Sequence, residues 1–137
     1  MNQFQKEHSE AALGACPALA DLRALLLSMG GELVVDWNLG ETAEPVTSAI
    51  MTLGMLWPTI GRKTMPGDRN NCHESAKKHE QRYPRRYRAI TGFALSTDGL
   101  WRQHSWTFDF KDGRIADTIH GSANRMYFGY PEFREKD

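Results

Sequence analysis

Leu100-Trp101-Arg102-Gln103-His104-Ser105-Trp106-Thr107-Phe108-Asp109-Phe110-Lys111-Asp112-Gly113-Arg114-Ile115-Ala116-Asp117-Thr118 is the stretch on which the fold turns. It holds two β-rich runs, Leu100–Phe110 and Ile115–Ile119, on either side of Lys111-Asp112-Gly113. Aromatic and β-branched residues suit a pleated surface, and Asp-Gly between two such runs signals a hairpin. His104, Trp106, Phe108 and Phe110 alternate with Gln103, Ser105, Thr107 and Asp109, so the first set makes an apolar, inward face. Ile115, Asp117 and Ile119 likewise share a face. One histidine and one acid thus sit among apolar neighbours, where each needs a partner.

Working outward, Tyr87–Ser96 reads as a preceding strand, joined through the turn Thr97-Asp98-Gly99, and Tyr127-Phe128 as a short fourth strand. Pro84 closes a helix over Cys72–Arg82, capped by Asn70 or Asn71. Residues 58–71 are rich in breakers and read as a long loop. Further back, Pro17 suits a helix start, Leu19, Leu22, Leu26 and Met29 recur at helical spacing, and Gly30-Gly31 stops the run. Glu32–Trp37 reads as a short strand, and a second helix runs from Pro45 to Leu56, ended by Trp57-Pro58. Helices followed by an antiparallel meander make an α+β class. A single domain over 1–137 is expected, with a helical N-terminal part (1–60) and a helix-plus-antiparallel-sheet part (61–137).

Composition places the chain among ordinary globular proteins, at 40% hydrophobic and 25% charged residues. Lys plus Arg and Asp plus Glu both number 17, so net charge is zero, which disfavours a dedicated nucleic-acid binder. The charge is uneven: residues 61–90 carry 9 basic and 3 acidic side chains, against 2 and 7 over residues 1–60. That basic middle would steer an anionic partner, or simply form a solvated face. Two cysteines, Cys16 and Cys72, make no disulfide framework. No signal-peptide pattern opens the chain and no apolar run is long enough to span a bilayer, so the expectation is a cytoplasmic protein without membrane partners. An effector exported by a route that reads no leader would look the same.

Cys72, His104 and Asp117 stand in an order that suits a cysteine nucleophile, its base and its orienter. At a helix start, free N–H groups and the dipole favour a thiolate, and Arg69, Lys77 and Lys78 act in the same direction. The plainer reading of each is a small buried hydrophobe, a hydrogen-bonded core histidine and a turn-bonding acid. Register decides. A tight turn at Asp112-Gly113 pairs Phe108 with Asp117 and His104 with Gly121, which leaves His104 and Asp117 roughly 13 Å apart. They meet only if the turn slips towards Phe110 or a bulge intervenes. Otherwise His120, Ser122 or Asn124 must orient the base.

These residues also carry a family likeness. Asn71-Cys72-His73-Glu74 at a helix start, Gly92-Phe93-Ala94-Leu95 on a strand, His104-Ser105-Trp106 on the next and Asp117-Thr118 on the third resemble the transglutaminase-like branch of the papain-like cysteine protease superfamily. The likeness spans Asn71–Thr118, with Ser105 where that branch usually has Ala and with Asp117 directly before Thr118. It implies a papain-like core and a Cys-His-Asp triad with Cys72 as nucleophile, His104 as general base and acid, and Asp117 as orienter. No Gln precedes Cys72 to donate to an oxyanion, so Asn70 or Asn71 would substitute. Trp106 and Thr118, within the same motifs, are the remaining candidates for substrate contact.

The expected activity is a thiol-dependent acyl hydrolase or transferase acting on an amide or ester: peptidase, amidase, deamidase or crosslinking enzyme. It needs no cofactor, and its substrate would be a peptide, a protein or a small amide. The alternative is a non-catalytic binding module in which the basic segment and Tyr83, Tyr87, Trp101 and Tyr127 meet a partner. Arg82, Arg85, Arg86 and Arg88 interleave with Tyr83 and Tyr87 as in single-strand binders, with little else in support. A metal site from Cys72, His73, His79 and His104 is disfavoured, because Cys72 and His79 lie roughly 10 Å apart along the helix.

Overall fold

The computed structural model describes residues 19–35, 43–67 and 71–131. Helix α1 spans Leu19–Met29 and buries Leu22 and Leu26 completely. It stops at Gly30 and Gly31, both at positive φ. Strand β1 is Leu33–Val35, and helix α2 is Ala43–Leu53. Pro17, Cys16 and Trp37 lie outside the described residues. The expected extension of α2 to Leu56 does not occur. A Cβ on Gly54 would lie 2.3 Å from the Ile50 carbonyl oxygen and 2.6 Å from the Phe128 ring, so the chain turns tightly over Phe128 there. Met55–Trp57 then forms strand β2.

Strand β3 (Lys63–Thr64) interrupts the expected loop, and helix α3 runs from Cys72 to Arg82 as the sequence predicts. Strands β4 (Tyr87–Ser96), β5 (Leu100–Asp109), β6 (Arg114–Asp117) and β7 (Asn124–Pro131) follow, with a 3-10 turn at Ile119–Gly121. The result is an α+β fold with a seven-stranded sheet in the order β2-β7-β4-β5-β6-β3, β1 pairing with β5 off that path. The consecutive β4–β5–β6 antiparallel pairing matches expectation. The sheet as a whole is mixed, because β1 runs parallel to β5 and β3 parallel to β6. The N-terminal part is therefore not purely helical; it contributes two strands to the sheet.

The first and last strands of that order are joined by only Pro58–Arg62. Six flat strands would separate them by roughly 24 Å, more than the roughly 21 Å that the six residue steps from Trp57 to Lys63 can reach. The sheet must curl. Trp57 on β2 accordingly packs against Phe108 on β5 in a tilted contact, with ring centroids 4.9 Å apart. Trp57, Ile90, Trp106, Phe108, Ile115 and Tyr127 fill the concave side. On the other side Phe93, Leu95, Trp101 and Phe128 pack with Leu22, Leu26 and Ile50 of α1 and α2. Helix α3 covers the adjoining part of that face, where His73 meets Ser105. Ser105, Thr107 and Asp109, the polar alternates of β5, are thus buried as well. Among the described residues no helix is long and apolar enough to cross a membrane.

The β5–β6 register settles the geometric question raised by the sequence. Phe108 pairs with Ile115 and Asp109 with Arg114, leaving Phe110–Gly113 as the loop. The register lies two residues from that of a tight Asp112-Gly113 turn. Asp109 imposes it. Its carboxylate accepts the Lys111 and Asp112 N–H groups at 2.9 and 3.3 Å, and its carbonyl accepts Gly113 N–H at 2.8 Å. Arg86 grips the same carboxylate at 2.8–3.1 Å and Lys63 also contacts it. Continuing the ladder by one step sets Asp117 beside Trp106 and diagonal to His104, within about 7–8 Å between backbones.

Candidate active site

Helix α3 is anchored by polar contacts more than by apolar burial, since Ala76 is its one fully buried residue. His73 Nδ1 lies 3.2 Å from Ser105 Oγ, His79 Nε2 meets the Pro66 carbonyl at 2.9 Å, and Glu80 accepts the Ala89 N–H at 3.1 Å. Residues 65–67 are trapped between this helix and β6. Met65 N–H donates to the Asp117 carbonyl at 2.7 Å, and a Cβ on Gly67 would lie 2.4 Å from the Thr118 methyl. Asn71 holds the N-cap position, one of the two expected, without a side-chain capping bond. Asn70, the other cap and oxyanion candidate, lies outside the described residues.

Cys72 begins this helix opposite an unusual stretch of sheet edge. On the side of β5 away from β4, β1 pairs with Leu100–Arg102 and β6 with Thr107–Asp109. Between them, residues 103–106 have no ladder partner on that side among the described residues. The Cys72 thiol lies near this stretch, close enough to the His104 side chain and the Ser105 backbone N–H for both to lower its pKa. His104 Nε2 meets both carboxylate oxygens of Asp117 at 3.0 Å. That leaves Nδ1 as the ring nitrogen for the sulfur. The imidazole thus contacts the carboxylate directly and has the thiol as a neighbour.

The acid is held from every side. Thr118 N–H donates to Oδ1 at 2.8 Å and the Tyr127 hydroxyl to Oδ2 at 2.7 Å. A Cβ on Gly121 would lie 2.1 Å from Oδ2, so only glycine leaves room for the carboxylate there. The Asp117 side chain is 2% exposed and the His104 ring 15%. Trp106 stacks beneath the imidazole at 6.0 Å and is itself buried, so it supports the ring and does not line the cleft. Thr118 does line it.

Electrostatics follow from these contacts. Burial pushes the Cys72 thiol up, but the His104 bond and charge outweigh it, and its pKa falls below the ordinary value. Burial opposes the imidazolium, yet Asp117 and Cys72 raise His104 to about 9. Asp117 is lowered despite its burial, chiefly by His104 and then by Tyr127 and Thr118. The three shifts agree in direction, each group favouring the charged form of its neighbour.

A second layer escaped the sequence reading. Arg62 donates to the Tyr127 hydroxyl at 3.0 Å, to the Ser122 carbonyl at 2.9 Å and to the Gly121 carbonyl at 3.3 Å, and it also bonds the Asn124 carbonyl. It clamps the segment that carries Gly121 and Tyr127 against Asp117. Burial, with the nearby Asp117 charge, pushes the Tyr127 phenol well above its usual pKa, so it stays a donor. The signal available in sequence was a tyrosine on a strand, whose hydroxyl must find a partner if buried. Tyr87, Trp101 and Tyr127, proposed as exposed partner-binding aromatics, are all buried; Tyr83 alone of the four is exposed. Asp117 meets His104, so Ser122 and Asn124 are not needed as orienters, and nothing is described for the His120 side chain.

A cleft of about 410 Å³ opens over the gap in the sheet edge. Cys72, Gln103, His104 and Thr118 line one end. At the other end Arg102 pairs with Asp98 at 2.7 Å, and that pairing, with Ser96 and the Leu100 N–H, holds Asp98 at a pKa of about 2. The only aliphatic side chains in the lining are Ala94 and Ala123. Among the described residues no group of three or more His, Cys, Asp or Glu side chains is arranged to hold a metal ion. No protein-family model matches the chain, and no match appears among curated proteins or solved structures.

Proposed function

We propose that this chain is a thiol-dependent acyl hydrolase or acyl transferase acting on an amide or ester bond, built on a core like that of the transglutaminase-like branch of the papain-like superfamily. The observation that carries the reading is the direct His104–Asp117 contact with Cys72 as the imidazole's neighbour, Cys72 and His104 both lining a cleft. The order of parts supports the likeness: the sulfur opens a helix, the imidazole lies on the second of three antiparallel strands and the acid on the third.

In the proposed reaction the Cys72 thiolate adds to the carbonyl carbon and the π pair moves onto oxygen. Collapse of that adduct expels the amine or alcohol, which takes its proton from His104, and leaves a thioester on Cys72. Water or an amine then attacks the thioester while His104 accepts its proton. The sulfur leaves as thiolate and the imidazolium is restored. Asp117 keeps the ring oriented and its charge compensated throughout.

The test joins acylation to titration. Incubation with p-nitrophenyl acetate should put one acetyl group on Cys72, visible by intact mass, and Cys72→Ala should show none. Alkylation by iodoacetamide should reach half its maximal rate below the ordinary thiol value of about 8.5. Acyl transfer from an anilide, whose leaving amine must be protonated, should decline again as pH rises through about 9, where His104 loses that proton. An unacetylated wild-type protein with an ordinary thiol profile would end this proposal.

A further inference from the structure

Acyl transfer at Cys72 fixes where a reactive carbonyl must lie, and the far end of the cleft bears on what the rest of the substrate is. Apart from the thiol and the imidazole, the titratable side chains in the lining are Asp98 and Arg102. Asp98 Oδ1 accepts the Leu100 N–H at 3.0 Å, an Arg102 Nη1–H at 3.3 Å and the Ser96 hydroxyl. Its Oδ2 accepts an Arg102 Nη2–H at 2.7 Å. The carboxylate is thus spent on its own turn and on the guanidinium. Arg102 is not spent. Its other Nη1–H goes to Ser96 Oγ at 2.8 Å, which leaves the Nε–H and one Nη2–H without an acceptor among the described residues. Asp98 takes the end of the guanidinium, so those two N–H groups share its side edge, at the spacing of a carboxylate.

Strand geometry sets this edge near the reacting groups. Arg102 and His104 are successive residues on the concave face of β5, roughly 7 Å apart along the strand. Both line the cleft with Cys72. On β4, Ala94 pairs with Arg102 and Gly92 with His104. The neighbouring strand therefore puts only a methyl group and a hydrogen on that face, and the floor beside the two side chains stays low. The Arg102 side chain is 38% exposed, so a ligand reaches it from solvent. Its contacts with Asp98 and Ser96 hold the guanidinium in place before any ligand arrives, which lowers the entropy lost on binding.

We propose that Arg102 selects the substrate: an acyl donor with a carboxylate about four to five bonds from its reactive carbonyl, received side-on by the Arg102 Nε–H and Nη2–H. The assignment rests on the acyl-transfer reading and adds a specificity-determining residue to it. Asp98 positions the guanidinium and offsets part of its charge, so recognition depends on the geometry of the fork as well as on charge. A neutral acyl group of the same length enters the same cleft and leaves the fork to water.

The experiment uses two alkylating agents that differ only at their far end. N-Iodoacetylglycine carries a carboxylate at that reach from the carbon that Cys72 attacks, and N-iodoacetylglycinamide carries a neutral amide there. With both, the thiolate displaces iodide from a saturated carbon, so the reaction needs the sulfur and the cleft but no acyl transfer. With each rate normalised to that of free cysteine, wild-type protein should prefer the anionic reagent about tenfold. Arg102→Lys keeps the charge and loses the fork, and should retain less than about half of that preference. Arg102→Gln combined with Asp98→Asn, which leaves no uncompensated carboxylate in the cleft, should abolish it. A wild-type preference under about twofold overturns the assignment. So does a full preference in Arg102→Lys, which would make the effect one of long-range charge, or in the double variant, which would put the anion elsewhere. Acetylation by p-nitrophenyl acetate, which has no carboxylate, tests the underlying reading separately. Acetylation of Cys72 without an anionic preference removes only the Arg102 assignment. A wild-type protein that takes no acetyl group on Cys72 defeats the acyl-transfer reading itself, and the substrate assignment with it.

Discussion

Asp109 and Asp117 sit at opposite ends of the same short hairpin partnership, and both are buried carboxylates with lowered pKa values. Their partners differ. Asp109 faces Arg86 and Lys63, which stay cationic across any ordinary pH, and it closes the β5–β6 loop with its remaining valence. Asp117 faces an imidazole that itself faces a thiol, and its other contacts are the Tyr127 hydroxyl and the Thr118 N–H. One acid is locked by permanent charges, and the other is coupled to a proton that can move. Burial and depressed pKa alone do not separate structural from chemical acids; the titratability of the partner does.

The largest expected effects test the coupled end. His104→Ala should reduce acyl transfer to p-nitrophenyl acetate by about 10³–10⁴-fold, since it removes both the base and the partner that keeps the sulfur ionised. Asp117→Ala should cost less, about 10²-fold, because it disorders and discharges the imidazole without removing it. Both variants should remain folded by near-ultraviolet circular dichroism. An Asp117→Ala enzyme with wild-type rates would erase the distinction between the two acids.

At the locked end the loss should appear as stability. Asp109→Asn leaves two partly exposed cations less well compensated and weakens the loop, for about 2–3 kcal/mol in urea unfolding. That lies below the cost of breaking a fully enclosed pair, because Lys63 and Arg86 both reach water. The pH dependence has a definite sign. An acid depressed on folding contributes stability above its unfolded value of about 3.9 and loses it as pH falls through the folded value. Wild-type stability should therefore decline on acidification below about pH 4, and Asp109→Asn should show a shallower decline over the same range. Equal acid slopes would mean that the ion cluster adds nothing to the hairpin.

Much of this was legible beforehand, for reasons specific to each element. Cys72–Arg82 and Tyr87–Ser96 were bounded by prolines, breakers and a turn glycine, and both appear as read. The β5–β6 register was not legible, because a two-residue shift returns every side chain to the same face and leaves the alternation unchanged. Only the partners of Asp109, drawn from β3 and from the residue before β4, distinguish the two registers. Strands β1, β2 and β3 are two or three residues long and owe their form to neighbours on the sheet, which local pattern does not encode. Cys72, His104 and Asp117 were visible as residues with an unmet need. Tyr127 and Arg62 were not, since their roles arise from the curl that brings the β2–β3 link against β7.

That curl supplies the smallest effect and the finest comparison. Asp109 has its cations in direct contact, whereas Asp117 meets Arg62 only through the Tyr127 hydroxyl. Tyr127→Phe keeps the ring against Trp106, with which it makes an edge-to-face contact at 4.9 Å, and removes only the hydroxyl. Stability should fall by about 1 kcal/mol, the usual net cost of one buried hydrogen bond. With one donor gone, Asp117 Oδ2 keeps more of its charge for the imidazole and becomes freer to rotate. Acylation by an anilide should then slow by only about fivefold to tenfold, while the alkaline limb of its pH profile moves upward from about 9. A variant that lost stability without moving that limb would make the hydroxyl a packing contact like any other. A moved limb would show that the distant guanidinium acts on the site through a phenol that never gives up its proton.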